Sequence, residues 1–115
     1  MKRHIVQAVL AVELLCLCAA QNYKLYPTKS TNLFIKLDTR SGKMTYVTVY
    51  SDIYYESILN DISLVDKKDE REGRFELHPT EIKGDFILLD TLAGSCWRVG
   101  HTKGSVVPFE LRGEL

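Results

Sequence analysis

The sequence has no excess charge of either sign, because 15 Lys and Arg residues stand against 15 Asp and Glu residues among 115. A balanced chain lacks the cationic surface that binds nucleic acid by releasing counterions from phosphates, so no nucleic-acid partner is expected. The hydrophobic fraction of 45% and the charged fraction of 26% are ordinary for a globular protein. The length has room for one domain.

Cysteine is also scarce. Two of the three cysteines, Cys16 and Cys18, lie in an N-terminal apolar run, and once that run is removed Cys96 is alone. One cysteine forms no intramolecular disulfide. Its alignment with Met44 in the internal repeat described below favours an apolar filler, and an intermolecular disulfide is the alternative.

Recognisable catalytic and metal-binding motifs are missing. The sequence contains no Gly-x-Ser-x-Gly elbow, no phosphate-binding glycine loop and no His-Glu-x-x-His. His78, His101 and Cys96 do not have the spacing of zinc ligands. We therefore expect no catalytic residues, no metal and no cofactor.

The N-terminus is typical of an export signal. Basic residues at positions 2–4 precede an apolar run over 5–20 that ends in Cys-Ala-Ala. This pattern predicts a signal helix over 1–20, cleaved after Ala20, and a protein exported to the periplasm, the cell surface or the medium. The run is shorter than the ~20 residues of a membrane-spanning helix, so no stable span is expected after cleavage. A retained anchor is the alternative.

The main positive feature is an internal repeat. Residues 23–49 align without a gap with residues 75–101, at an offset of 52, and ten of the 27 positions are identical. In the first copy the identical residues are Leu25, Pro27, Thr28, Phe34, Ile35, Leu37, Asp38, Thr39, Gly42 and Val47. Self-similarity at a fixed spacing indicates two copies of one supersecondary unit.

Each copy contains a hairpin signature. A strand ends in Leu-Asp-Thr, two further residues lead to glycine, and a second strand follows. Glycine supplies the positive φ that such a turn needs, and the aspartate accepts hydrogen bonds from turn amides. We therefore assign Asp38, Gly42, Asp90 and Gly94 to structural turns. The alternative for the two aspartates is a catalytic pair in one cleft.

These patterns predict an all-β domain over 21–115. It consists of two tandem antiparallel meanders of three to four strands each, repeats 23–65 and 75–111, joined by a charged, solvated linker over 66–73. Neither meander buries its apolar face alone, so we expect the two to pack as a small sandwich or barrel.

Alternation along the strands assigns core and surface. The predicted core residues are Ile35, Leu37, Val47, Ile87, Leu89, Trp97 and Val99. Phe86 and Leu88 then point to the opposite face, which either packs the two repeats on each other, the favoured interpretation, or is a candidate partner surface. A second candidate surface is the tyrosine-rich segment with Tyr46, Tyr50, Tyr54 and Tyr55. The alternative for these tyrosines is cross-strand aromatic packing within the sheet.

The pattern Phe-Ile-x-Leu-Asp-Thr-x-x-Gly-x-x-x-x-Val, with Trp97 in the second copy, resembles the strand-turn-strand of quinoprotein-type β-propeller repeats. Two copies do not close a propeller of four to eight blades, and Thr45 stands where the first tryptophan would be, so quinone binding and dehydrogenase activity do not carry over. The whole chain also resembles small exported bacterial proteins of unknown function with two such repeats, which implies an envelope location.

The expected function is a non-catalytic binding or interaction module whose partner is a protein or another envelope component. Two alternatives stay open. One is an envelope inhibitor or immunity-type protein that blocks an enzyme. The other is a small hydrolase, which requires a pocket that joins Asp38, Asp90 or His101.

Overall fold

The computed structural model describes residues 22–100 and the strand over 105–108. The predicted signal segment and His101 lie outside these ranges. Within them the all-β prediction is confirmed, with two four-stranded antiparallel sheets of order β1-β2-β3-β4 and β5-β6-β7-β8. The strands are β1 (Tyr23–Pro27), β2 (Leu33–Asp38), β3 (Met44–Tyr50), β4 (Ile53–Asn60), β5 (Phe75–Pro79), β6 (Asp85–Asp90), β7 (Cys96–Gly100) and β8 (Ser105–Pro108).

The two hairpin turns are built alike, as the repeat predicts. Gly42 and Gly94 have φ of 82° and 79°, and their amides donate to the carbonyls of Asp38 and Asp90 at 3.0 and 2.8 Å. Each aspartate side chain also accepts a backbone amide two residues later, at 3.0 Å in both copies. The threonine that follows each aspartate bonds the chain just before the first strand of its own repeat.

The two sheets share one core. Its buried residues are Ile35, Leu37, Met44 and Leu59 from the first sheet and Phe75, Leu77, Phe86, Leu88 and Val99 from the second. Cross-strand neighbours share a face, and successive residues of a strand alternate between faces. The register and the burial together therefore define an inner and an outer face for each repeat.

The inner face of repeat 1 carries Leu33, Ile35, Leu37, Met44, Tyr46, Thr48 and Ser57. The inner face of repeat 2 carries Phe75, Leu77, Phe86, Leu88, Trp97 and Val99. The outer face of repeat 1 carries Tyr23, Leu25, Phe34, Lys36, Thr45, Val47 and Val49. The outer face of repeat 2 carries Glu76, His78, Ile87, Leu89, Cys96 and Arg98.

These faces correct part of the predicted core. Ile87 and Leu89 are only half buried and lie on the outer face of repeat 2. Phe86 and Leu88 are 4% and 0% exposed in the shared core, which confirms packing between the repeats and makes the candidate partner surface at these two residues wrong. The physical reason is the register across the turn, which pairs Leu88 with Trp97 and so places both on the inner face.

The remaining predicted core residues also divide between faces. Ile35, Leu37 and Val99 are buried between the sheets, and half-buried Trp97 packs there against Phe75 with ring centroids 6.1 Å apart. Val47 is 4% exposed but pairs with Phe34 on the outer face of repeat 1, outside the shared core.

The charged linker is mostly exposed, as predicted, and includes a short 3-10 turn over Lys67–Asp69. Its ends are nevertheless attached to the first hairpin turn. The Leu64 amide, just before the linker, donates to the Ser41 carbonyl at 2.8 Å, and the Phe75 amide, just after it, donates to the Thr39 carbonyl at 2.8 Å. The linker therefore covers the first turn, and among the described residues no segment covers the second turn in this way.

Candidate ligand cleft between the repeats

A cleft of about 620 Å³ lies between the repeats, at the end of the sheets where the β1–β2 and β5–β6 connections run. This volume falls within the ~300–1,000 Å³ range of small-molecule sites. The residues that line it are Thr28, Ser30, Leu33, Tyr46, Thr48, Ser57, Lys83, Gly84 and Phe86. Every strand residue among them belongs to an inner face.

Two equivalent threonine turns form the rim. The Thr28 hydroxyl donates to the Leu33 carbonyl at 2.7 Å and accepts the Ser30 amide at 3.1 Å. The Thr80 hydroxyl makes the same pair of bonds, to the Asp85 carbonyl and from the Ile82 amide, at 3.0 and 3.2 Å. Because both turns are closed by their own side chains, the rim is formed before any ligand arrives.

The polar wall consists of three hydroxyl groups on neighbouring strands. Tyr46 and Thr48 lie on β3, and Ser57 lies opposite Tyr46 on β4. Among the described residues, none of these three side chains has a hydrogen-bond partner. Partial burial raises the pKa of Tyr46 above its ordinary value, so its phenol stays protonated at neutral pH and can donate as well as accept.

Phe86 of repeat 2 lies across the cavity from these hydroxyls and is 4% exposed. Leu33 lines the cavity beside Thr48, on the same sheet face as the hydroxyls. Lys83 supplies the one cationic side chain among the lining residues, and no carboxylate lines the cleft. This combination suits a neutral or anionic ligand that carries hydroxyl groups and one apolar face.

The four tyrosines predicted as a recognition surface divide between the two faces of repeat 1, with Tyr46, Tyr50 and Tyr55 on the inner face and Tyr54 on the outer face. Tyr46 lines the cleft, whereas Tyr50, Tyr54 and Tyr55 are 55%, 57% and 58% exposed at the far end of the β3–β4 hairpin. Tyr54 and Tyr55 are consecutive in a strand, so they point to opposite sides of the sheet. Of the six predicted binding residues, only Tyr46 and Phe86 meet in one cavity.

Charged and hydroxyl side chains surround Glu56 on the outer face of repeat 1. Lys36 forms an ion pair with Glu56, and the hydroxyls of Thr45 and Tyr54 each donate to its carboxylate at 2.6 Å. Lys36, and then the two hydroxyls, lower the pKa of Glu56 to about 2. The cluster borders a depression of about 250 Å³, and its carboxylate stays ionised, which does not suit a general acid or base at neutral pH.

The two repeat aspartates are held in ion pairs. Arg74 binds Asp90 through two bonds of 2.9 and 2.8 Å, and Arg40 binds Asp38 through two bonds of 3.2 Å. Burial alone would raise the pKa of both carboxyls, but the arginines and backbone amides hold both pKa values below the ordinary range. Neither aspartate lines the cleft. Leu33, which does, begins β2, and Asp38 lies at the other end of that strand, five residues or ~16 Å away.

Several cleft residues were missed by sequence reasoning, namely Thr28, Ser30, Thr48, Ser57 and Lys83. Thr28 was visible only as a repeated Pro-Thr turn, and the others occupy positions that differ between the copies. Isolated hydroxyl residues carry no pattern of their own, since what brings them together is the packing of one repeat on the other. The alternation of Tyr46 and Thr48 was the one available signal.

No cluster of three or more potential metal ligands occurs in residues 22–100 and 105–108. In the same part of the chain no helix is long and apolar enough to cross a membrane. Comparison with known proteins finds no match to this chain among family models, curated proteins or solved structures.

Proposed function

We propose that this protein is an exported, non-catalytic binding module that holds a small hydroxylated ligand of the saccharide class, an envelope component, in the cleft between its repeats. The observation that carries the proposal is the set of three hydroxyls without hydrogen-bond partners among the described residues, which lies beside Leu33 and faces Phe86 across a cavity of about 620 Å³. A sugar ring matches both walls, since it offers hydroxyl groups around its edge and C–H groups on its faces.

The chemistry of the cleft favours binding over catalysis. Its titratable lining residues are Tyr46 and Lys83, and the raised pKa of Tyr46 keeps its phenol protonated, so little phenolate is present to act as a base at neutral pH. The hydrolase alternative needs a pocket that joins Asp38, Asp90 or His101. Both aspartates are engaged by arginines in turns, and His101 lies outside the described residues. Rim turns that are already hydrogen-bonded lower the ordering cost of binding.

The test is an NMR titration of the ¹⁵N-labelled protein with three probes: glucose, N-acetylglucosamine and glucuronic acid. We expect at least one of them to shift the amides of Ser30, Thr48, Ser57 and Gly84. Tyr46→Phe removes one hydroxyl and should weaken binding about tenfold, the value of one lost hydrogen bond. Lys83→Gln should weaken glucuronic acid more than glucose.

Tyr54→Phe is the matched control, because it removes the same hydroxyl from the Glu56 cluster instead of the cleft. It should leave the affinity unchanged. No binding by any of the three probes, or equal weakening by the two tyrosine variants, would contradict the proposal.

A further inference from the structure

The two repeats bury opposite faces: the face that is inner in repeat 1 is equivalent to the face that is outer in repeat 2. The inner face of repeat 1 includes Ile35 and Leu37, whose counterparts at the offset of 52 are Ile87 and Leu89 on the outer face of repeat 2. The inner face of repeat 2 includes Leu77 and Val99, whose counterparts Leu25 and Val47 lie on the outer face of repeat 1. The packing between the repeats is therefore head to tail, and within residues 22–100 and 105–108 it leaves one uncovered face of each kind.

The uncovered faces keep part of the apolar character of their covered counterparts. Lys36 and Thr45 stand where Leu88 and Trp97 are covered, and Arg98 stands where Tyr46 is. Tyr23 and Leu25 are each 56% exposed, although Phe75 and Leu77 at the equivalent positions are 0% and 3% exposed. On the other side, Cys96 is half buried where its counterpart Met44 is 2% exposed. Both outer faces are therefore mixed, and the exposed apolar residues on them are the surface that a covering neighbour would bury.

Charge does not oppose contact between the two outer faces. Lys36 is paired with Glu56 on the side of the outer face of repeat 1, and Arg98 is paired with Asp85 at 3.0 Å on the side of the outer face of repeat 2. Both of these pairs are neutral, and Glu76, the further carboxylate on the outer face of repeat 2, lies 3.2 Å from His78.

The two hairpin turns differ in the same way, since the first is covered and the second is exposed. Thr39 in the first turn is fully buried and its carbonyl accepts the Phe75 amide at 2.8 Å, the start of the next repeat. Its counterpart Thr91 is exposed. Tyr23 is the residue equivalent to Phe75. The Tyr23 amide of a second copy would therefore bond the Thr91 carbonyl in the second turn, as the Phe75 amide bonds the Thr39 carbonyl in the first.

We propose that copies of this chain assemble head to tail, with the outer face of repeat 2 of one copy packed on the outer face of repeat 1 of the next. This contact between chains uses the same pair of faces as the contact between the two repeats within a chain. A heterologous contact forms a closed ring when its rotation closes. Radially stacked four-stranded sheets close with about four to eight members, so the ring contains about two to four copies.

The mass of the purified protein, measured by light scattering at about 100 µM, tests the assembly. Leu25→Asp blocks the outer face of repeat 1, and Leu89→Asp blocks the outer face of repeat 2. Each variant alone should be monomeric, with a Kd for self-association at least tenfold higher than that of the parent protein. Ile82→Asp is the control, because Ile82 is 63% exposed in the β5–β6 connection, away from both outer faces.

Mixing the two blocked variants distinguishes head-to-tail from symmetric contacts. Each retains the face that the other has lost, so an equimolar mixture should form a one-to-one dimer and stop there. A monomeric parent protein, or a mixture that stays monomeric, would overturn the proposal, as would either variant dimerising alone. If Leu89→Asp does not fold, Val107→Asp replaces it, because Val107 is 49% exposed, opposite Arg98 on the same sheet.

Discussion

Leu25 and Leu77 are the same residue at the same position of a repeat, yet they are 56% and 3% exposed. Leu37 and Leu89 are a second such pair with the order reversed, since Leu37 is 0% exposed and Leu89 is only half buried. Burial in this protein therefore depends on which neighbour a face has, and residue type alone does not decide it. Two tandem repeats that pack head to tail leave one exposed face on each repeat, and these two faces are not equivalent.

The largest effects should come from replacing these leucines with alanine. Leu77→Ala and Leu37→Ala each leave a cavity in the shared core and should lower the free energy of unfolding by about 2–5 kcal/mol. Leu25→Ala should change it by less than about 0.5 kcal/mol, as for an exposed site, and Leu89→Ala should fall between. Urea denaturation in dilute solution, where association does not contribute, measures all four. Equal losses at Leu25 and Leu77 would mean that the two faces are not distinct.

A smaller difference should separate the two turn aspartates. Asp90 is 2% exposed and pairs with Arg74 across 16 residues of chain, whereas Asp38 pairs with Arg40 beside it and is more exposed. Asp90→Asn should cost about 2 kcal/mol, because it leaves the arginine without its carboxylate, and Asp38→Asn should cost about 1 kcal/mol or less. Thermal unfolding of both variants checks the order, and a greater loss at Asp38 would contradict it.

The same two aspartates predict that the stability of the fold depends on pH in the acid range. Their folded-state pKa values lie below the ordinary value of about 3.9. A lowered folded pKa adds stability that is complete above the ordinary pKa and is lost as the pH falls through the folded pKa. Stability should therefore decline below about pH 4, and Asp90→Asn should flatten that decline more than Asp38→Asn does. The measurement is the urea midpoint at several pH values between 2 and 6.

The smallest difference within a pair should separate the two turn glycines. Both have a positive φ, so Gly42→Ala and Gly94→Ala each cost about 1 kcal/mol of backbone strain. A Cβ at Gly42 would also lie 2.7 Å from Leu64 Cδ1, whereas a Cβ at Gly94 meets open space. Gly42→Ala should therefore be the worse of the two, by up to about 1 kcal/mol. The melting temperatures of the two variants give the comparison, and equal values would show that Leu64 moves aside freely.

Much of the fold could be predicted from local pattern. The Asp-Thr-x-x-Gly spacing identified both hairpin turns, because a positive φ and a side-chain acceptor are needed at those positions whatever packs around them. The strands followed from alternation and from the offset of 52 residues. These are properties that each segment carries in its own few residues.

The candidate site was predicted poorly. Phe86 and Leu88 were assigned to a surface because Ile87 and Leu89 make an equally good apolar face, and alternation gives no reason to prefer one. The tyrosines were grouped by closeness in sequence, but Tyr54 and Tyr55 point to opposite sides of their strand. Tyr46 and Ser57 meet only because β3 and β4 pair in that register.

The sequence by itself determined the turns, the strands and the fact that there are two copies of one unit, since these depend on short-range backbone preferences. Only the tertiary structure decided which face of each copy is buried and where the cleft lies. In these strands both faces carry apolar residues, so the choice between them rests on the cross-strand register and on the sheet that packs alongside. Neither of these is a property of one segment.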